Sequence, residues 1–148
     1  SQSIEDLDID WVSVYTSGRK ATIDNYARAF HYKCSQNILY LNKALFRMNI
    51  AQNSNCSYCN IAEETIPHLF FECSIIKYLW NELRQHLRHI PLPDLSLRSA
   101  YLGFYTTRDI LINQIHLIFR IVIYNQRESG FCNLHIIKAK IVSIKELN

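Results

Sequence analysis

At 148 residues, 49% of them hydrophobic, the chain has apolar material for one compact domain with a sizeable core. Only three Gly and three Pro interrupt it, which favours helices over a turn-rich β fold. The net charge of +3 hides a polarity: residues 1–10 carry Glu5, Asp6, Asp8 and Asp10 and no base, leaving 16 basic against 9 acidic side chains over the other 138. That surplus favours a polyanionic partner only weakly. The N-terminus lacks the apolar core of a signal peptide. The apolar run 110–124 is too short for a membrane span and holds Asn113, Gln114, His116 and Arg120, so no membrane partner is expected. The chain opens at Ser1 without an initiator Met, as expected of a piece of a longer polypeptide.

In chain order, residues 1–21 read as an acidic tether and 22–52 as a helical lead-in. Thr22 is placed to cap a helix to Cys34, with Ile23, Tyr26, Ala27, Phe30 and Cys34 at helical spacing. A shorter helix over 41–48 puts Leu41, Leu45 and Met48 on one side. Residues 53–90 form the next unit. Thr65 can cap a short helix whose first turn accepts Pro67, and Ser74 can cap a longer one to about His89, ended by Pro91 and Pro93. On that longer helix Ile75, Ile76, Leu79, Trp80, Leu83 and Leu87 share a face. Lys77, Asn81, Arg84 and Arg88 share another, centred roughly 130° away at 100° per residue. In the last unit, 91–148, a linker leads to a helix capped by Thr107 and running to Asn125. It is apolar on nearly every side and hence expected to be covered by neighbours. Asn133 then caps a final helix with Leu134, Ile137, Ile141 and Ile144 in register. The expected fold is all-α: one helical domain with an embedded Cys-Cys-His-Cys zinc knuckle.

The knuckle rests on Cys56-x2-Cys59-x8-His68-x4-Cys73. Three thiolates and an imidazole suit zinc, a borderline-soft cation with no geometric demand from its d-electrons. Four protein ligands leave no position for water or substrate, which marks a structural site. His68 and Cys73 lie five apart, so a helix between them has to end or bend to bring both to one ion. Cys34 and Cys132 stand apart and read as buried thiols. With Glu63, Glu64 and Glu72 and no Lys or Arg in residues 56–73, the knuckle reads as an anionic patch that repels phosphate. No His-Glu-x-x-His pair, Gly-rich phosphate loop or nucleophile elbow occurs, so no catalytic residue and no small-molecule substrate is expected.

The run Cys56-Ser57-Tyr58-Cys59, then Glu63-Glu64-Thr65-Ile66-Pro67-His68-Leu69-Phe70-Phe71-Glu72-Cys73, then Trp80-Asn81-Glu82-Leu83 resembles the zinc-binding region of LINE-type (non-LTR) retrotransposon reverse transcriptases. Phe30-His31-Tyr32-Lys33 and Asn42-Lys43-Ala44-Leu45 are similar to the family's lead-in to the knuckle. The resemblance implies a C-terminal region of an endonuclease and reverse transcriptase polyprotein, with Cys56, Cys59, His68 and Cys73 as metal ligands. It also implies engagement of template RNA and target DNA in target-primed reverse transcription. The polymerase's own paired aspartates do not occur. RNA or DNA and the polyprotein's reverse transcriptase domain are thus the expected partners, in the reducing nucleus or cytoplasm. From the residues themselves, Lys77, Arg84 and Arg88, joined by Lys43 and Arg47, are candidate phosphate contacts, and Tyr58 a candidate base-stacking ring. Leu69, Phe70 and Phe71 are expected to make core contacts and Trp80 to pack beneath the zinc loop. The competing expectation is a protein-interaction module whose apolar helix 108–125 docks on the polymerase, or a host-domesticated derivative.

Overall fold

The computed structural model describes residues 25–104 and 110–147, the last four as backbone only. The acidic tether and the proposed caps Thr22 and Thr107 lie outside the described residues. The fold is all-α. Its elements are α1 (Asn25–Ser35), α2 (Asn42–Arg47), a π-helical turn (His68–Glu72), α3 (Ser74–His86), α4 (Leu97–Leu102), α5 (Ile110–Asn125), a 3-10 turn (Arg127–Ser129) and α6 (Leu134–Leu147). Among the described residues the only strand-like pairing is the isolated antiparallel bridge Asn55–Glu63, inside the knuckle.

Both lead-in helices stop the same way. Asn37 after α1 and Asn49 after α2 adopt left-handed backbone (φ 56° and 59°), which asparagine tolerates better than branched residues. Each is followed by a closing bond five residues back, Ile38 N–H to the Lys33 carbonyl and Ile50 N–H to the Leu45 carbonyl, both 2.9 Å. The final helix starts as its sequence suggests, with Asn133 Oδ1 accepting from the Ile136 N–H at 2.9 Å.

The central element is α5, buried from Ile112 through Ile123 except at Gln114, which is half-buried. It packs against α1 and α6. Its apolar surface is therefore used within the chain, which corrects the expectation that it docks elsewhere. The Trp80 ring packs edge-on to Phe119 of α5 (centroids 5.0 Å apart) and to His116 (5.4 Å), while Nε1 donates to the Pro93 carbonyl at 2.9 Å. It ties α3 to α5 and to the proline linker. Within the linker, α4 has a reciprocal cap: Ser99 N–H donates to Ser96 Oγ (3.1 Å) and Ser96 N–H to Ser99 Oγ (2.8 Å).

The core contains a polar seam. Asn113, His116 and Arg120 of α5 are all buried, as is His31 of α1, whose Nδ1 lies 3.4 Å from Arg120 Nη2. Gly103 abuts the seam: a methyl there would sit 3.3 Å from Arg120 Nη2 in a backbone at φ 71°. Burial, reinforced by the charges of Arg120 and His31, holds the His116 imidazole well below its ordinary pKa. Folded protein therefore carries fewer protons at this site than unfolded protein. The resulting stability is complete above about pH 6.5 and is lost as pH falls below it, by at most about 1.4 kcal/mol per unit. His116→Gln should flatten the acid-side fall in melting temperature between pH 7.5 and 5.5. Parallel profiles for wild type and variant would contradict the assignment.

Candidate metal centre

The four candidate ligands converge. Their donor atoms all lie within 4.8 Å of one another. Cys56 Sγ is 4.0 Å from Cys73 Sγ, and Cys59 Sγ is 3.3 Å from His68 Nε2. A tetrahedron with zinc's usual bond lengths to sulfur and nitrogen has edges of roughly 3.5–3.8 Å, and the donors, within 4.8 Å of one another, are gathered close to that arrangement. Three of the four residues are buried and Cys59 is half-buried.

Local backbone geometry explains the convergence. The first pair sits on a tight turn closed by Asn60 N–H to the Cys56 carbonyl (3.0 Å), with Asn60 itself left-handed at φ 59°. The hairpin is held by Cys56 N–H to the Ala62 carbonyl (2.7 Å) and Glu64 N–H to the Ser54 carbonyl (2.8 Å). The second pair solves its five-residue spacing through the π-helical turn. Cys73 N–H bonds the His68 carbonyl at 2.7 Å, an i to i+5 closure that sets both side chains on one side. Thr65 starts this segment as anticipated, its Oγ1 accepting from the His68 N–H at 3.2 Å.

Cys73, and not Ser74, is the N-cap residue of α3. Its thiol is lowered to about 7, first by the hydrogen bond with Cys56 and then by the N–H groups of Ile76 and Ile75, against a burial that raises it. Cys56 is shifted upward by the same bond and by burial. Both thiols bind zinc as thiolates, so metal uptake at this pair would release protons. Burial pushes Cys34 and Cys132 up to about 11, which suits the inert buried thiols expected from sequence.

The anionic-patch expectation needs correction at Glu64. This carboxylate is completely buried and fully engaged. Oε1 accepts from Asn42 N–H (3.1 Å) and Arg127 Nη1 (2.6 Å), while Oε2 accepts from Ser57 N–H (2.7 Å) and Ser57 Oγ (2.6 Å). It joins the knuckle to the start of α2 and to the 3-10 turn after α5. Gly130 admits the close approach, since a methyl there would lie 3.3 Å from the Ser57 carbonyl. Glu63 is exposed and pairs with Lys43 at 3.3 Å.

Tyr58 also differs from expectation. It is 6% exposed, and its hydroxyl donates to the Ile123 carbonyl in the last turn of α5. That carbonyl belongs to a helix end with no intrahelical partner, so Tyr58 caps α5 and offers no ring to a base. Arg127 Nε caps the adjacent Tyr124 carbonyl at 3.1 Å. Leu69 and Phe70 are buried and half-buried Phe71 packs against the core, as anticipated, with the Lys77 ammonium 4.9 Å from the Phe71 ring centroid. Among the candidate phosphate contacts, Arg84 holds the proline linker through the Leu92 carbonyl (2.9 Å) and an ion pair with Asp94. Arg47, Lys77 and Arg88 are exposed.

A closed Cys3His clasp set into a helical core defines a structural zinc domain. A family model described as zinc-binding in reverse transcriptase matches residues 13–80, just under half of the chain, including all four ligands. No curated protein and no solved structure matches the chain. The residues present fit zinc, and the ion's contribution here is to cross-link the hairpin to the π-helical turn.

Structural zinc in small fingers contributes an apparent ~10–16 kcal/mol, comparable with the whole stability of a domain. Cys73→Ser should abolish stoichiometric zinc and lower the melting temperature by on the order of 10 °C or more. A chelator should do the same to wild type, read by elemental analysis and thermal unfolding. Glu64→Ala strands Arg127 in a mostly buried position and should cost about 3–5 kcal/mol, with Glu64→Gln costing less. Equal denaturation midpoints for all three proteins would refute the hub role.

Proposed function

We propose that this chain is a non-catalytic accessory module of a LINE-type reverse transcriptase polyprotein. It holds template RNA or target DNA during target-primed reverse transcription, inside the reducing nucleus or cytoplasm where thiolate ligands persist. The family match supplies the association with reverse transcriptase. The observation that carries the nucleic-acid reading is the outward face of α3. It presents exposed Lys77 in its first turn, and Arg84 with Arg88, which lies just past the helix end at His86 and not within a helix running to His89, lines a shallow groove with Asn81, Gln85 and Leu92. Lys43 and Arg47 of α2 are further candidate bases, because an exposed pair such as Lys43–Glu63 binds its lysine only weakly. Contacts of this kind hold the phosphate backbone and carry little sequence information.

A second reading is docking on the polymerase domain. It is favoured by the exposed apolar side chains Ile38, Phe46, Met48, Ile50 and Ile61 around α2 and the knuckle. The two separate in one titration. Lys77→Glu with Arg88→Glu should weaken binding of labelled RNA at least about tenfold and lower its salt slope by roughly one to two. Wild-type protein that binds neither RNA nor DNA, yet captures a purified polymerase domain, establishes docking.

A further inference from the structure

Residues 25–62 contain Arg28, Lys33, Lys43 and Arg47 and not one Asp or Glu. The same stretch is rich in aromatic rings, and Tyr26, Tyr32, Tyr40 and Phe46 stand exposed. The structure gathers part of this set into a cleft between α1, the turn that follows it and the end of α5. It is lined by Tyr26, Phe30, Lys33, Leu39, Tyr40 and Tyr124, with Ala29 leaving room among them. Phe30 and Leu39 are buried and form its floor, and Phe30 meets Tyr124 edge-on at 5.6 Å between centroids. Tyr26 and Tyr40, 53% and 59% exposed, stand at its rims.

The walls are fixed in place. Tyr26 hydroxyl donates to Asn125 Oδ1 at 3.0 Å. Arg127 stacks over the Tyr124 ring at 4.3 Å and reaches the Tyr40 carbonyl with Nη2 at 3.3 Å. Arg127 is in turn pinned by Glu64, so the cleft is braced from the metal knuckle. Aromatic faces over an apolar floor, with Lys33 in the lining and no Asp or Glu in residues 25–62, match one kind of group. That group is flat, π-faced and followed by a phosphate.

We propose that this cleft takes an unpaired nucleobase of single-stranded RNA or DNA, stacked on Tyr40 and Tyr26, with Lys33 on the adjoining phosphate. The proposal rests on the nucleic-acid reading above and adds to it where a base, as distinct from the backbone, is engaged. A base still paired inside a duplex cannot enter, so the cleft makes the domain select single strands. Stacking tolerates every base, and no sequence preference is expected from it.

The test is fluorescence anisotropy with a labelled oligouridylate, an oligothymidylate and a duplex of equal length at fixed salt. Tyr40→Ala should weaken single-strand binding by roughly 5- to 100-fold and leave duplex binding and the salt slope unchanged. Tyr40→Trp should retain wild-type affinity. Lys33→Ala should lower the single-strand salt slope by about 0.7. The Tyr40 main-chain carbonyl keeps its bonds in these variants, and unchanged melting and zinc content verify the fold. Unchanged single-strand affinity in Tyr40→Ala, or an equal loss on duplex, overturns the cleft while leaving the basic surface of α3 standing. If wild type binds no oligonucleotide, both readings fall.

Discussion

The 2.7 Å bond from Cys73 N–H to the His68 carbonyl sets the conditions for everything else in this fold. Two ligands five residues apart would face different directions on a regular helix. One residue of extra backbone, accommodated as a π-helical turn, brings imidazole and thiol to the same side and ends the turn at the N-terminus of α3. The same residue is thus metal ligand, helix cap and hinge between the knuckle and the basic helix. Its sulfur faces backbone N–H groups at a helix start, where negative charge is favoured, so the clasp and α3 stabilise each other.

Much of this was legible in the sequence because it depends on local chemistry. The ligand spacing, the caps at Thr65 and Asn133, and the apolar face of α3 at Ile76, Leu79, Trp80 and Leu83 all follow from short-range rules and match the structure. The helix α5, apolar on nearly every side, is buried as its composition demands. Even the conflict at His68 and Cys73 was visible as a spacing problem, although its solution as a π-turn was not. The small helix α4 escaped notice because six residues carry too little periodicity, and only the Ser96–Ser99 pair marked it.

What sequence reasoning missed are the long-range polar contacts. Glu64 meets Arg127 across 63 residues, and Tyr58 meets the end of α5 across 65. No spacing rule couples such positions. Charge counting within residues 56–73 found only acids, so it described as a repulsive surface what is a buried junction completed from elsewhere. The His31–His116–Arg120 seam is similar: three ionisable groups on two helices that look, one by one, like ordinary surface residues. Tyr58 and Tyr40 show the same reversal. The ring between the ligands is structural, and the exposed ring lies in the lead-in.

The distribution of these anchors bears on what constitutes a self-sufficient unit. The family match ends at Trp80, yet the knuckle's carboxylate is neutralised by Arg127, its tyrosine is spent on Ile123, and Trp80 itself leans on Phe119. A fragment trimmed to the matched segment would keep every ligand and lose the counter-charge, the acceptor and the wall that hold the ligands in place. The autonomous folding boundary of this metal module therefore falls beyond its sequence signature, at or after the 3-10 turn that delivers Arg127.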